Sequence, residues 1–163
     1  MKTFNDYNFN KYTKDFIDLN NFKNPTPIQE AVIPYALKGR DIVAVSATGT
    51  GKTHAFLIPL MEKIKTDEAK VQAVITAPTR ELAVQIFEFA KLMSKANPEL
   101  SIKLITGGIN KDKMIESLKV QPHIVIGTPG RIKDLFLNES VLRVDTAKYY
   151  VLDEADMTLE YGF

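Results

Sequence analysis

Two groups of residues in this sequence have types and spacing that could do chemistry. The first is Ser46-Ala47-Thr48-Gly49-Thr50-Gly51-Lys52-Thr53, set between the apolar run Ile42 to Val45 and a helical pattern. Glycines in such a loop let successive backbone N–H groups curl around phosphate oxygens, and the helix that follows adds the positive end of its dipole. Lys52 would reach the β- and γ-phosphates of a nucleotide, and the Thr53 hydroxyl would ligate Mg²⁺. The usual pattern has glycine where Ser46 stands. The second group, Asp153-Glu154-Ala155-Asp156, follows the apolar run Tyr149 to Leu152. Neighbouring carboxylates repel one another unless a cation or a solvated turn relieves them. A hydrated Mg²⁺ held by Asp153 would do so, and Glu154 could then orient and deprotonate an attacking water. Taken singly, these are a glycine-rich turn with an exposed lysine and a solvent-facing acidic turn. Taken together, they read as the two halves of a nucleoside-triphosphate hydrolase.

The elements that must position these groups follow from hydrophobic patterning. Five short, continuous, β-branched runs are expected to be buried strands: Ile42 to Val45, Ala73 to Thr76, Ile102 to Ile105, Ile124 to Ile126, and Tyr149 to Leu152. Helical spacing lies between them. In Glu81 to Lys95 the apolar residues Leu82, Ile86, Phe89, Ala90 and Met93 are expected on one face. Shorter stretches with the same period are His54 to Lys65, Asn110 to Lys119 and Arg131 to Asn138. Alternating strands and helices with continuous apolar strands imply an α/β fold with a parallel sheet covered on both faces. Gly49, Gly51, Gly107, Gly108, Gly127 and Gly130 fall just after expected strands. That is the sheet edge where open α/β folds bind ligands and backbone must come close to them.

Composition narrows the class further. The 163 residues suit one domain, with 45% hydrophobic and 25% charged residues, which excludes a disordered or fibrous chain. Lys plus Arg is 21 against 20 for Asp plus Glu, so any nucleic-acid binding must use a local patch rather than bulk charge. The absence of cysteine excludes disulfides, thiol catalysis and Cys-ligated metals. His54 and His123 are too far apart in sequence for metal-ligand spacing and read as structural histidines. The longest apolar runs, Ala31 to Leu37 and Ala55 to Met61, are broken by proline and fall well short of the roughly 20 residues a membrane span needs. With no signal-peptide pattern at the N-terminus, the expectation is a soluble, cytoplasmic protein.

Further motifs make the sequence specific enough to resemble one family, the DEAD-box ATP-dependent RNA helicases of bacterial type, over almost the whole chain. Phe22-Lys23-Asn24-Pro25-Thr26-Pro27-Ile28-Gln29 is similar to that family's adenine-recognition motif, with Phe4 at the spacing of the upstream aromatic that stacks on the base. Asn21 stands where the motif usually begins with glycine; asparagine tolerates positive φ better than most residues. Pro78-Thr79-Arg80-Glu81-Leu82-Ala83, Thr106-Gly107-Gly108 and Thr128-Pro129-Gly130-Arg131 resemble the motifs that grip one RNA strand by its sugar–phosphate backbone. The resemblance implies a RecA-like three-layer domain spanning 1–163, with adenine recognition in 1–30 and the phosphate loop to the acidic motif in 31–163. It implies ATP and Mg²⁺ as cofactors and RNA as partner, with no membrane. Ser46 to Thr53, Phe4, Phe22, Thr26 and Gln29 would bind ATP; Lys52, Asp153 and Glu154 would be catalytic; Thr53 and Asp153 would hold Mg²⁺, the latter through water. Pro78, Thr79, Arg80, Gly107, Gly108, Thr128, Pro129, Gly130 and Arg131 would contact RNA, and Asp156 would couple this domain to a second one. Arg80 and Arg131 have an alternative as structural ion-pair partners of Glu81 and Asp134.

The sequence ends before the family's Ser-Ala-Thr motif and its second RecA-like domain, which supplies arginine fingers and completes the RNA groove. The expectation is therefore a truncated chain whose sheet lacks a central strand, which binds nucleotide weakly and does not unwind RNA by itself. Two other readings stay open at this point: a non-catalytic nucleotide- or RNA-binding fragment, and a P-loop motor acting on DNA. Gln29 with its flanking motif and the Asp-Glu-Ala-Asp sequence argue against the latter.

Overall fold

Four of the six described α-helices begin on a side-chain cap. Asn10 Oδ1 accepts from the Thr13 N–H at 3.0 Å and begins α1 (Lys11–Leu19). Thr26 and Gln29 form a reciprocal capping box around Pro27, the first residue of α2 (Pro27–Leu37). Gly51, at φ +87°, turns the chain into α3 (Lys52–Lys63). The Thr79 hydroxyl accepts from Leu82 N–H at the head of α4 (Arg80–Ala96), and Asn110 caps α5 (Lys111–Ser117). Thr128 and Pro129 open the short α6 (Pro129–Lys133). The structure is a computed structural model that describes residues 3–39 and 51–153. The expected strand Ile42 to Val45 lies outside the described residues.

The chain divides into two compact units, Met1–Ile64 with Lys95–Pro98, and Lys65–Ser94 with Glu99–Phe163. In the first, α2 packs on α3 and α1 on α3. Glu62 ties α1 down by accepting from the Thr13 hydroxyl at 2.5 Å and from Asn10 N–H at 3.0 Å. Asn21 adopts φ 59°, the positive value expected where the motif usually has glycine.

The second unit holds a four-stranded, wholly parallel sheet in the order β2-β3-β1-β4, made of β1 (Ala73–Thr76), β2 (Ile102–Ile105), β3 (Ile124–Gly127) and β4 (Tyr149–Leu152). Every residue of β1 and β3 is buried, so neither face of these strands meets water and their runs are continuous rather than alternating. On one face Val74, Val125 and Ile105 pack with Met114, Leu118, Ile132, Leu135 and Leu142. The α/β parallel-sheet class expected from the sequence is the one observed.

Three details depart from the sequence reading. Phe89 is 39% exposed: the buried stripe of α4 runs through Ala83, Ile86, Ala90 and Met93, and Phe89 lies at its margin. Tyr150, expected to pack in the sheet, is 57% exposed, because β4 is an edge strand of the described sheet; its hydroxyl donates to the Val144 carbonyl instead. The helix expected over Arg131 to Asn138 is α6 followed by a π turn over Asp134–Asn138. There Lys111 Nζ bridges the carboxylates of Asp134 at 2.9 Å and Glu139 at 2.8 Å, and Glu139 N–H reaches Asp134 O.

Gly127 shows why one of the strand-end glycines must be glycine. A Cβ there would collide with the Ile105 carbonyl of the neighbouring strand, so sheet packing, not ligand approach, excludes a side chain. A Cβ on Gly130 would meet open space. Gly127→Ala is expected to lose about 2–3 kcal/mol in urea denaturation, as overpacking against backbone does, while Gly130→Ala stays within about 0.5 kcal/mol.

Candidate functional site

Gln29 is the centre of the first cluster. It is 2% exposed, and its amide works in two directions. Oε1 accepts from Thr26 N–H at 3.0 Å, completing the cap of α2, and Nε2 donates at 3.1 Å to the Gly51 carbonyl at the head of α3. Two residues separated by 21 others in the chain are thereby joined. The bonds use one of two Nε2 protons and one of two Oε1 lone pairs of the amide. A Cβ on Gly51 would lie 2.6 Å from Gln29 Nε2 and 2.9 Å from Thr26 Oγ1. Close approach and positive φ both require glycine there.

Lys52 and Thr53 are the first two residues of α3, whose first turn carries no acidic side chain. The positive end of such a helix favours an anion. Ser46, Ala47, Thr48, Gly49 and Thr50 lie outside the described residues, as do Glu154 and Asp156. Asp153 follows β4, is 8% exposed, and donates its N–H to Thr76 O at 2.9 Å. Among the described residues no three His, Cys, Asp or Glu side chains gather into a metal cage. A hydroxyl and a carboxylate suit Mg²⁺, which takes few protein ligands and completes its shell with water and phosphate oxygens.

Aromatic rings adjoin the Gln29 cluster. Phe4 stacks on Phe22 with centroids 6.1 Å apart, and Phe4 N–H donates to Lys23 O at 3.0 Å. Tyr7, which the sequence reading passed over, packs on both Phe4 and Phe9. His54, also left without a role, meets Phe22 edge-to-face at 4.9 Å and stacks on Phe16 at 5.9 Å. The His54 contacts could not be found from spacing, because Phe16 and Phe22 come from other parts of the chain.

The second cluster lies along the carboxyl edge of the sheet. Ile105 is in register with Gly127, and Thr76 with both Gly127 and Leu152, so all four strands end together. The segments Pro78 to Arg80, Thr106 to Gly108 and Thr128 to Arg131 leave from that edge. The Arg80 guanidinium occupies the space a Cβ on Gly108 would need, and Arg131 Nη2 would be 3.8 Å from a Cβ on Gly107. Among the described residues neither arginine forms an ion pair within 4.0 Å; Asp134 pairs with Lys111 instead. Thr106 is fully buried, and its hydroxyl has no hydrogen-bond partner among the described residues. Gly107, Gly108 and Gly130 are exposed, Thr79, Thr128 and Arg131 half-buried, and Pro129 buried. His123 is structural as expected: its Nδ1 accepts from Ser101 N–H at 2.9 Å.

The DEAD/DEAH box helicase family model matches residues 26–163. The chain belongs to the DEAD/DEAH box helicase family. It is similar to the DEAD-box ATP-dependent RNA helicase CshB of Listeria monocytogenes, 47% identical over 161 residues, covering 98% of this chain and 37% of the relative. It is 45% identical over 159 residues to CshB of Bacillus subtilis, covering 96% and 36%. Among solved structures, a DEAD box protein from the hyperthermophile Methanococcus jannaschii superposes with a TM-score of 0.88 at 40% identity, covering 98% of this chain and 43% of that one. The fold is thus the RecA-like arrangement of that family. The chain spans a little over a third of the length of the curated relatives it matches. Among the described residues no helix is long and apolar enough to cross a membrane.

Burial of the His54 ring pushes its pKa down to about 4. The unfolded chain, with an ordinary histidine near 6.5, binds more protons than the folded one between those values. Stability from this residue is therefore complete above about pH 6.5 and lost as pH falls towards 4, by on the order of 3 kcal/mol. Urea midpoints measured from pH 7 to pH 4 should fall less steeply in His54→Gln than in the unmodified protein.

Proposed function

We propose that this chain is the ATP-binding and RNA-contacting half of an RNA-dependent ATPase that separates short RNA duplexes. The observation that carries the reading is the bond from Gln29 Nε2 to Gly51 O, which sets a base-reading amide beside the residue preceding Lys52 and Thr53. In this reading Gln29 selects adenine by its amide, Phe4 and Phe22 supply the aromatic surface, and Lys52 holds the β- and γ-phosphates. Thr53 and Asp153 would hold Mg²⁺, which neutralises phosphate charge when bound. Glu154 orients and deprotonates the attacking water, and Asp156 couples to a second RecA-like domain.

RNA is held at the carboxyl edge of the sheet. Support comes from two arginines beside an exposed glycine pair, and from the α4 N-terminus with Thr79 at its cap. These groups address phosphate and sugar rather than base edges, so binding is sequence-independent. A chain of net charge +1 suits backbone N–H, hydroxyl and two local guanidinium groups better than a basic surface.

The relatives' names supply the RNA substrate and ATP dependence, and the adenine motif and Asp-Glu-Ala-Asp sequence favour RNA over DNA as the stimulating strand. Residues 1–163 by themselves bind adenine nucleotide weakly and are not a competent helicase, since an arginine finger from a second domain is typically worth ~10³ or more in rate.

Equilibrium binding of ADP and GDP with Mg²⁺, with Gln29→Ala alongside, tests the nucleotide assignment. ADP should bind more tightly than GDP, and Gln29→Ala should abolish the difference; equal binding of the two nucleotides to the unmodified protein would refute the adenine reading. Purified residues 1–163 should hydrolyse ATP at a rate that neither RNA nor DNA raises appreciably. Robust RNA-stimulated turnover by those residues would show that one domain suffices.

A further inference from the structure

We infer that His54 is a positioning residue of the adenine site, its ring fixing Phe22, and through Phe22 the ring of Phe4, against the helix that carries Lys52 and Thr53. The inference rests on the adenine reading above. His54 is the third residue of α3, directly after Thr53, and is 5% exposed. Its ring meets Phe22 at 4.9 Å with an interplanar angle of 86°, the edge-to-face geometry that aromatic quadrupoles favour. Behind it lies Phe16, fully buried on α1, at 5.9 Å and 30°. Phe16 in turn belongs to the helix that Glu62 of α3 ties down through Thr13 and Asn10. The imidazole is thus backed by a fixed ring and presents itself to a half-buried one. Phe22 continues the series to Phe4, stacked at 6.1 Å and 23°.

The direction of this series gives it meaning. One end is the helix whose first residues are assigned to phosphate; the other end is the pair of rings assigned to the base. A nucleotide has the same two ends, so the rings set the distance between base and phosphate binding independently of the Gln29–Gly51 bond. Replacing the ring by an aliphatic side chain of similar bulk would leave α3 packed but remove the planar partner of Phe22. The base end should then loosen while the phosphate end does not.

Binding of ADP, GDP and inorganic pyrophosphate to the protein, to His54→Leu and to His54→Phe tests this. An aromatic contact of this kind corresponds to about 3- to 10-fold in affinity. His54→Leu should weaken ADP by that factor and narrow the ADP-over-GDP preference, with pyrophosphate binding unchanged; His54→Phe should restore the preference. Retention of the full preference by His54→Leu, or equal loss in both variants, would overturn the inference. If the unmodified protein shows no preference for ADP, the adenine reading fails and this inference with it. A measurement free of substitution covers the case in which His54→Leu does not fold. The chain has two histidines, so their ring-proton signals are readily told apart. ADP should move the His54 signal further than pyrophosphate does, with His123 still; equal displacement by the two would overturn the proposal.

Discussion

The side-chain amide of Gln29 is the constraint on which the amino-terminal unit turns. A buried primary amide must satisfy its donors and acceptors or cost stability, and this one does so by joining two helix heads. One end completes the capping box of α2 and the other reaches the carbonyl of Gly51, which also accepts from Ala55 N–H. The start of α3, where Lys52 and Thr53 sit, is thereby tied to the segment that resembles an adenine-recognition motif. The same contact explains why residue 51 is glycine: a side chain would meet Gln29 and Thr26 together. The segment proposed to read the base and the helix proposed to meet phosphate are thereby mechanically joined.

In the other unit the governing constraint is strand register. Parallel strands with both faces buried must align their apolar runs, since any slip would exchange the residues facing each side. Alignment brings the carboxyl ends of all four strands level, so three segments distant in sequence leave from one edge. Gly127 permits the close approach of β3 to β2 at that edge, and the exposed Gly108 leaves room for the Arg80 guanidinium. Among the described residues Arg80 and Arg131 form no ion pair within 4.0 Å, and Lys111 takes up Asp134 and Glu139 and pins the π turn after α6.

Much was legible in the sequence because the informative features are local. The capping box of Thr26 with Gln29 acts within one helical turn, around a motif that is itself local in sequence. The described strands fall where the expected runs do, but only β1 and β3 are buried throughout; β2 is mostly half-buried and β4 alternates between half-buried and exposed. Asn21 took the positive φ that its motif position demands. Phe89 and Tyr150 were misjudged because exposure depends on what lies beside an element: one sits at the margin of a helix face, the other on an edge strand.

By itself, the sequence determined the α/β class and where the described strands lie along the chain, which follow from local propensity and periodicity, and it carried the motifs of the family; α1 and α2 were not read from it. Only the tertiary structure decided that the order in space is β2-β3-β1-β4, that Gln29 spends its amide on Gly51, and that Arg80 lies over Gly108. It alone placed His54 between Phe16 and Phe22. The reason is physical: these contacts join residues far apart in the chain, and their partners are selected by packing and by the need to satisfy buried polar groups, which no local pattern encodes.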